Sequence, residues 1–275
     1  MKILKKLTLA EAAGVKITKI EVLSPDIAKK TKPGQFIALM VSDKGERTPL
    51  TIVDTDKDIG SITLIFQQLG FTTKLLGEMS AGDSLYALVG PLGHATEIKN
   101  YGKVILVGGG VGIAEIYPVA KALKAAGNHI TVILGARTKN LLILENALKA
   151  VSDDLLVATD DGSYGRKGFT TDILDEVLQK QKYDLVYSVG PIPMMKRSAS
   201  VTAKYKVKTI VSLNAVMLDA TGMCGCCRVT IGGKILFSCV DGPEFDAHQV
   251  DWDELINRSK IYEDKEKHIC KLGKL

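Results

Sequence analysis

Apolar positions change their spacing near residue 100. Before it they come in short, alternating runs: GVKITKIEVLS, GQFIALMVS, TPLTIVDTD, SITLIFQQL and DSLYALVG. Gly, Pro, Asp and Ser separate the runs at short, regular intervals, which predicts a small antiparallel β-barrel. The opening MKILKKLTLAEAAGV reads as a first strand and turn. Its apolar stretch is too short, and too broken by Thr8 and Glu11, for a signal peptide. One short helix fits residues 72–78.

Beyond Tyr101-Gly102 strand-like and helix-like runs alternate. KVILVGGG, HITVILGAR, DLLVATDDG, YDLVYSVG and TIVSLNAV read as buried strands. VGIAEIYPVAKALKAAG, LLILENALKAV, FTTDILDEVLQKQ and PMMKRSASVTAKY read as helices between them. Such alternation predicts a doubly wound parallel sheet. From about residue 217 the pattern breaks into a loop-rich, cysteine-bearing tail with a charged end. The fold class is therefore α/β plus β, with domains at 1–99, 100–216 and 217–275.

Composition narrows the function. The chain has 275 residues, 46% apolar and 24% charged, as expected of a globular protein of two domains and an appendage. Its net charge of +5 is scattered, with no basic stripe and interleaved aromatics, so nucleic-acid binding is not expected. The apolar runs are too short to span a membrane. A cytoplasmic, reducing location is expected, where a tight cysteine cluster favours metal over disulfides.

Three motifs suit a nucleotide or dinucleotide. RTPLTI offers Arg47 beside Pro49 and Leu50, with the Thr51 hydroxyl; the arginine can clamp a pyrophosphate, or be a surface residue before an edge strand. IFQQLGFTTKLL runs from Ile65, Phe66 and Gln67 through Gly70 to Thr72 and Thr73, which open a helix whose free N–H groups can receive phosphate, or are simply capped by threonine. VGGGVGIA sets Gly108, Gly109, Gly110, Val111 and Gly112 at a strand-to-helix turn, although not at G-x-G-x-x-G spacing. At the ends of later strands, Asp160 and Asp161 can bond ribose hydroxyls or form a polar turn. Gly190-Pro191 can expose backbone to a nicotinamide or merely stop a strand.

The densest chemistry is DATGMCGCC, residues 219–227. Cys224 and Cys227 stand in C-x-x-C spacing and Cys239 follows after eleven intervening residues. No second C-x-x-C completes a zinc ribbon, though His248 is a possible fourth zinc ligand. Iron–sulfur ligation fits the three cysteines better. A fourth ligand is then missing; Asp219, five residues before Cys224, stands where a fourth cysteine could stand, and a carboxylate can bind iron. Cys226 is expected to pack elsewhere, and Cys270 to be a lone tail thiol.

Taken in order, RTPLTI, GFTTKLL, GGGVGIA, ARTKNLLILENAL, DDGSYGRKG, GPIPMM and the cysteine tail resemble the dihydroorotate dehydrogenase electron-transfer subunit family, within the ferredoxin–NADP reductase superfamily. The resemblance covers nearly the whole chain. It implies an FAD-binding barrel, an NAD(H)-binding α/β domain and a [2Fe-2S] domain. Arg47, Pro49, Leu50, Thr51, Ile65, Phe66, Gln67, Gly70, Thr72 and Thr73 would hold FAD. Residues 108–112, Asp160, Asp161, Gly190 and Pro191 would face the nucleotide. Asp219, Cys224, Cys227 and Cys239 would ligate the cluster. Members linked to orotate carry a cysteine where this chain has Asp219. The D-x4-C-x2-C-x11-C pattern is similar to the small subunit of NADH-dependent ferredoxin–NADP oxidoreductase. That branch implies a larger partner subunit with flavin and [4Fe-4S] centres, ferredoxin reached through it, and electron bifurcation. The alternatives are an electron-transfer subunit of dihydroorotate oxidation, and a non-catalytic zinc-stabilised nucleotide-binding module. Hydride exchange between NAD(H) and flavin needs no acid–base residue, so no general base is expected.

Overall fold

A computed structural model describes residues 1–263 and 265. The first six strands are β1 (Ile3–Ala12), β2 (Val15–Leu23), β3 (Phe36–Met40), β4 (Thr48–Asp56), β5 (Ser61–Gln67) and β6 (Ala87–Leu92). They form one antiparallel sheet in the order β1-β2-β5-β4-β3-β6. An antiparallel bridge from Lys2 to Ser84, just ahead of β6, ties the first strand to the last. Alternate residues turn inward: Ile20, Val22, Ile37, Leu39, Ile62 and Leu64 fill the barrel. Each such side chain contributes about 1.5–3 kcal/mol by leaving water. The expected helix is α2 (Phe71–Glu78); a second, α1 (Pro25–Lys30), has proline at its start and was not foreseen.

The parallel strands are β7 (Lys103–Gly109), β8 (His129–Ala136), β9 (Asp154–Thr159), β10 (Arg166–Lys167), β11 (Leu185–Val189) and β12 (Thr209–Ser212). Between them lie α3 (Gly112–Ala125), α4 (Glu145–Lys149), α5 (Thr170–Lys180) and α6 (Ile192–Tyr205). The strand order β10-β9-β8-β7-β11-β12 reverses its direction of winding between β7 and β11. The continuous helix expected over residues 141–151 is not formed. A 3-10 turn, Lys139–Leu141, is followed by extended chain, and Leu144 takes a left-handed φ of 55° before α4 begins. Leu141 and Ile143 are both buried, an i, i+2 spacing that a helix cannot point to one side.

The tail adds a hairpin, β13 (Arg228–Ile231) and β14 (Lys234–Phe237), then β15 (Glu244–Asp246) and α7 (Trp252–Ser259). β15 joins the parallel sheet, pairing antiparallel with β12. The chain forms two compact units. One holds Met1–His94, Asn214–Pro243 and the described residues from Asp251 on; the other holds Ala95–Leu213 and Glu244–Val250. The cysteine tail thus shares a unit with the barrel, apart from a short excursion into the nucleotide sheet. Among the described residues no helix is long and apolar enough to cross a membrane.

Candidate functional site

In the barrel unit, Ile52 pairs with Leu64, so antiparallel geometry sets the start of β4 beside the end of β5. That register brings residues 47–51 and 65–73 to one end of the barrel. A hydrogen bond of 3.2 Å from Thr72 Oγ1 to Glu46 Oε2 ties the second motif to the residue just before the first. Ile65 and Phe66 are buried, so their side chains belong to the core. Thr73 caps α2: its Oγ1 accepts from the N–H groups of Leu69 (3.0 Å) and Gly70 (3.1 Å) and donates to the Gly70 carbonyl (3.0 Å). Arg47 is exposed and donates from Nη1 to the Asp219 carbonyl, 3.4 Å away. The arginine of the first motif thus touches the cysteine loop.

In the nucleotide unit, the Gly108–Gly112 stretch spans the end of β7 and the start of α3, and Gly190-Pro191 follows the adjacent β11. Both therefore stand at the carboxyl ends of strands flanking the switch point, where open α/β sheets bind ligands. The turns pack tightly against each other. A Cβ on Gly112 would lie 2.6 Å from the Val189 carbonyl oxygen, one on Gly190 3.0 Å from that of Gly109, and one on Gly109 would strike Met194 Sδ. Gly110 differs: its φ is +57° and a Cβ there would meet nothing within 4 Å. Asp160 and Asp161 follow β9 and are exposed. Asp161 Oδ1 accepts from the Ser163 N–H (2.9 Å) and Oγ (2.7 Å), which hold its carboxyl below the ordinary range. Arg166 Nη1 is paired with Glu176 Oε1 at 2.5 Å.

A network beside β11 escaped the sequence reading. Glu244 Oε1 accepts from Tyr187 Oη (2.7 Å) and Thr96 Oγ1 (2.5 Å). Burial pushes the Glu244 carboxyl up and Tyr187 well above its ordinary value. A glutamate in a polar tail reads as a surface residue; only the pairing of β15 with β12 buries it.

The cysteine loop is built by hydrogen bonds and by its glycines. Asp219 Oδ1 accepts from the Thr221 N–H and Oδ2 from the Cys224 N–H, both at 2.9 Å. These backbone donors, Thr221 first, hold its carboxyl below the ordinary range. Gly222 (φ +82°) and Gly225 (φ +68°) take left-handed turns, and so does Ala220 (φ +61°). The eleven-residue gap before Cys239 is the length of a hairpin. β13 and β14 join through Gly232-Gly233, both at positive φ, the geometry of a tight two-residue turn. The Arg228–Phe237 pair at its base places Cys227 and Cys239 side by side, with Sγ atoms 3.1 Å apart. That is far beyond a disulfide bond length, and both are free, buried thiols. Burial pushes Cys239 up to about 12, so a bound cation is what would hold it as a thiolate. Cys224 is exposed on the loop and Cys226 half-buried. Cys270 lies outside the described residues. His248 is held by Thr202 Oγ1 at 2.9 Å from Nε2, with Asp246 Oδ1 3.8 Å from Nδ1.

Among the described residues no three His, Cys, Asp or Glu side chains converge as one mononuclear metal site would require. A two-iron cluster asks for less, since each iron takes two protein ligands. Cys227 and Cys239 form one adjacent pair, and Asp219 and Cys224, joined through a backbone hydrogen bond, lie together on one loop.

The family profile for the iron–sulfur cluster binding domain of dihydroorotate dehydrogenase B matches residues 214–251. That for the oxidoreductase NAD-binding domain matches residues 106–200. The dihydroorotate dehydrogenase B (NAD(+)) electron transfer subunit homolog of Thermotoga maritima is 49% identical over 265 residues, covering 96% of this chain and 92% of that protein. A solved NADH-dependent reduced ferredoxin–NADP oxidoreductase, studied for flavin-based electron bifurcation, superposes with a TM-score of 0.91 at 48% identity, over 97% of this chain and 95% of that one. The ferredoxin–NADP+ reductase of Plasmodium falciparum shares the fold alone, at TM-score 0.60 and 13% identity over 75% and 92% of the two chains. The chain belongs to the dihydroorotate dehydrogenase B electron-transfer subunit family, as an oxidoreductase subunit with NAD-binding and iron–sulfur-binding domains on a ferredoxin–NADP reductase-like fold.

Proposed function

We propose that the chain is the electron-transfer small subunit of an electron-bifurcating, NADH-dependent ferredoxin–NADP oxidoreductase, cytoplasmic, carrying FAD and a [2Fe-2S] cluster and using NAD(H). Asp219 is the observation that carries this reading, standing where orotate-linked members have a cysteine and anchored by two backbone N–H groups at the head of the ligand loop. The likeness to the bifurcating enzyme supports it. The partner is a larger subunit with flavin and [4Fe-4S] centres, through which ferredoxin is reached.

When bound, the nicotinamide, flavin and cluster supply hydride and single-electron chemistry, and the protein supplies position. Residues 47–51 and 65–73 would seat FAD at one barrel end, Arg47 by its charge and α2 by its N-terminal N–H groups. Gly110 would let the backbone approach the nucleotide pyrophosphate, and Gly190-Pro191 would present backbone to the nicotinamide. Asp160 and Asp161 would bond the ribose hydroxyls and repel a 2′-phosphate. Arg166, neutralised by Glu176, offers that phosphate little attraction, whereas Arg137 is exposed. These charges favour NAD(H), and faster flavin reduction by NADPH than by NADH would sink that choice. Asp219, Cys224, Cys227 and Cys239 would ligate the cluster.

The second reading, dihydroorotate oxidation, rests on the curated names of relatives such as that of Thermotoga maritima. One experiment separates the two. The chain is reconstituted with FAD, iron and sulfide, and assayed alone and then with its co-purified large subunit. Alone it should oxidise NADH only with dyes or ferricyanide. With the partner, NADP-linked ferredoxin turnover supports the first reading and orotate-linked turnover the second. Robust ferredoxin–NADP turnover by the lone chain would defeat the subunit assignment.

A further inference from the structure

Three guanidinium groups reach backbone carbonyls of the cysteine loop, from three parts of the chain. Arg47 donates to the Asp219 carbonyl at 3.4 Å, Arg228 to that of Gly225 at 3.2 Å, and Arg258 Nη2 to that of Cys226 at 2.9 Å. The first contact is long, and the second is local in sequence and exposed. Arg258 is different: it is half-buried, sits 32 residues from its acceptor and belongs to α7. The iron–sulfur domain profile ends at residue 251, before that helix.

The helix is fixed for the purpose. The Asp251 N–H donates to the Thr230 carbonyl of β13 at 2.9 Å. Asp251 Oδ1 caps α7 by accepting from the Glu254 N–H, also at 2.9 Å, and Leu255 is buried beneath it. Arg258 lies in the last turn, where a cation also suits the helix dipole. Its guanidinium therefore approaches the Cys224–Cys227 turn from a braced position.

We propose that Arg258 is a positioning residue for the iron–sulfur cluster, holding the Cys224–Cys227 turn through the Cys226 carbonyl and raising the cluster's reduction potential by its charge; this rests on the cluster reading above. An iron–sulfur centre with three thiolates and a carboxylate is net negative and becomes more so on gaining an electron. A fixed positive charge close by stabilises the reduced form more than the oxidised one. A guanidinium cannot lose its proton in this role, so the bias is permanent.

The test uses the full chain reconstituted with FAD, iron and sulfide. The cluster's midpoint potential is read by EPR during a redox titration, and iron release to a chelator is timed. Arg258→Met should lower the potential and speed iron release several-fold. Arg258→Lys, which keeps the charge but not the planar fork, should recover most of the potential while releasing iron faster than wild type. A purely structural brace would slow or speed iron release without moving the potential. Where Arg258→Met fails to fold, judged by FAD content and thermal unfolding, Arg258→Gln carries the same expectation. A wild-type potential in the charge-removing variant overturns the proposal, whatever iron release does. A wild-type chain that takes up no iron and sulfide overturns the cluster reading instead, and this inference with it.

Discussion

Two glycine-rich turns of this chain use glycine for opposite reasons. In the turn after β7, Gly109 and Gly112 make room: a Cβ on either would enter Met194 or the Val189 carbonyl of the neighbouring strand. In the cysteine loop, Gly222 and Gly225 set direction, with φ of +82° and +68°. A Cβ on Gly225 would meet only Phe237, at an ordinary 3.7 Å. The first turn is shaped by packing. The second is shaped by backbone conformation and by the Asp219 hydrogen bonds.

That difference predicts a loss confined to one turn. Cys239→Ser should abolish iron binding, because it breaks the buried pair with Cys227, while NADH still binds. Cys226→Ser should keep the iron, its EPR signal and its potential nearly unchanged. Metal analysis and NADH titration on both variants check this. Iron lost from Cys226→Ser but retained, with the spectrum unchanged, in Asp219→Ala would make Cys226 the fourth ligand instead.

The next effect falls on the packed turn. Gly112→Ala drives a methyl group into backbone, which cannot rotate away, and should cost about 3 kcal/mol. Thermal unfolding should show the nucleotide unit destabilised and NADH binding weakened, with iron and FAD content close to wild type. Wild-type stability would mean that the two turns are not held as closely as the Val189 contact requires.

The contrast also explains how much could be read in advance. The parallel sheet was legible because its central strands are continuous apolar runs, as with KVILVGGG before the first turn, whereas the two-residue β10, Arg166-Lys167, carries no such signal. The barrel was legible by alternation. The break at Leu144 was not, since one leucine in a left-handed conformation leaves no mark in an apolar run. β15 was missed because three residues, Glu-Phe-Asp, carry too little pattern to announce a strand, and so the Glu244–Tyr187–Thr96 network was missed too. At the site, the hairpin turn Gly232-Gly233 could have explained the eleven-residue gap before Cys239. The Arg258 contact depends on how α7 docks, which no local spacing encodes.

Gly110 tests the boundary between the two uses of glycine, because it lies in the packed turn yet has the open, left-handed geometry of the loop. Gly110→Ala should cost only about 1 kcal/mol of stability, the strain of a Cβ at positive φ. Its effect on nucleotide binding should be larger than its effect on folding, about tenfold or 1.4 kcal/mol in NADH affinity, if the open side of this residue is where pyrophosphate approaches. Equal, small changes in both would move the pyrophosphate elsewhere.

The smallest effect is expected at Ala220, a non-glycine residue that follows the same left-handed path as its glycine neighbours. Ala220→Gly relieves about 1 kcal/mol of strain. It also removes a methyl group that is only 3% exposed, worth about 0.8 kcal/mol, and loosens the unfolded chain by a further 0.5 kcal/mol or so. These terms nearly cancel, so thermal unfolding should move by no more than about 0.5 kcal/mol in either direction. A null result would mean that the strain relieved is offset by the lost methyl burial and the looser unfolded chain. A gain above about 1 kcal/mol would mean that the loop stores strain there, in the manner of sites whose backbone is held for function. The cysteine loop would then differ from the nucleotide turn in energy as well as in shape.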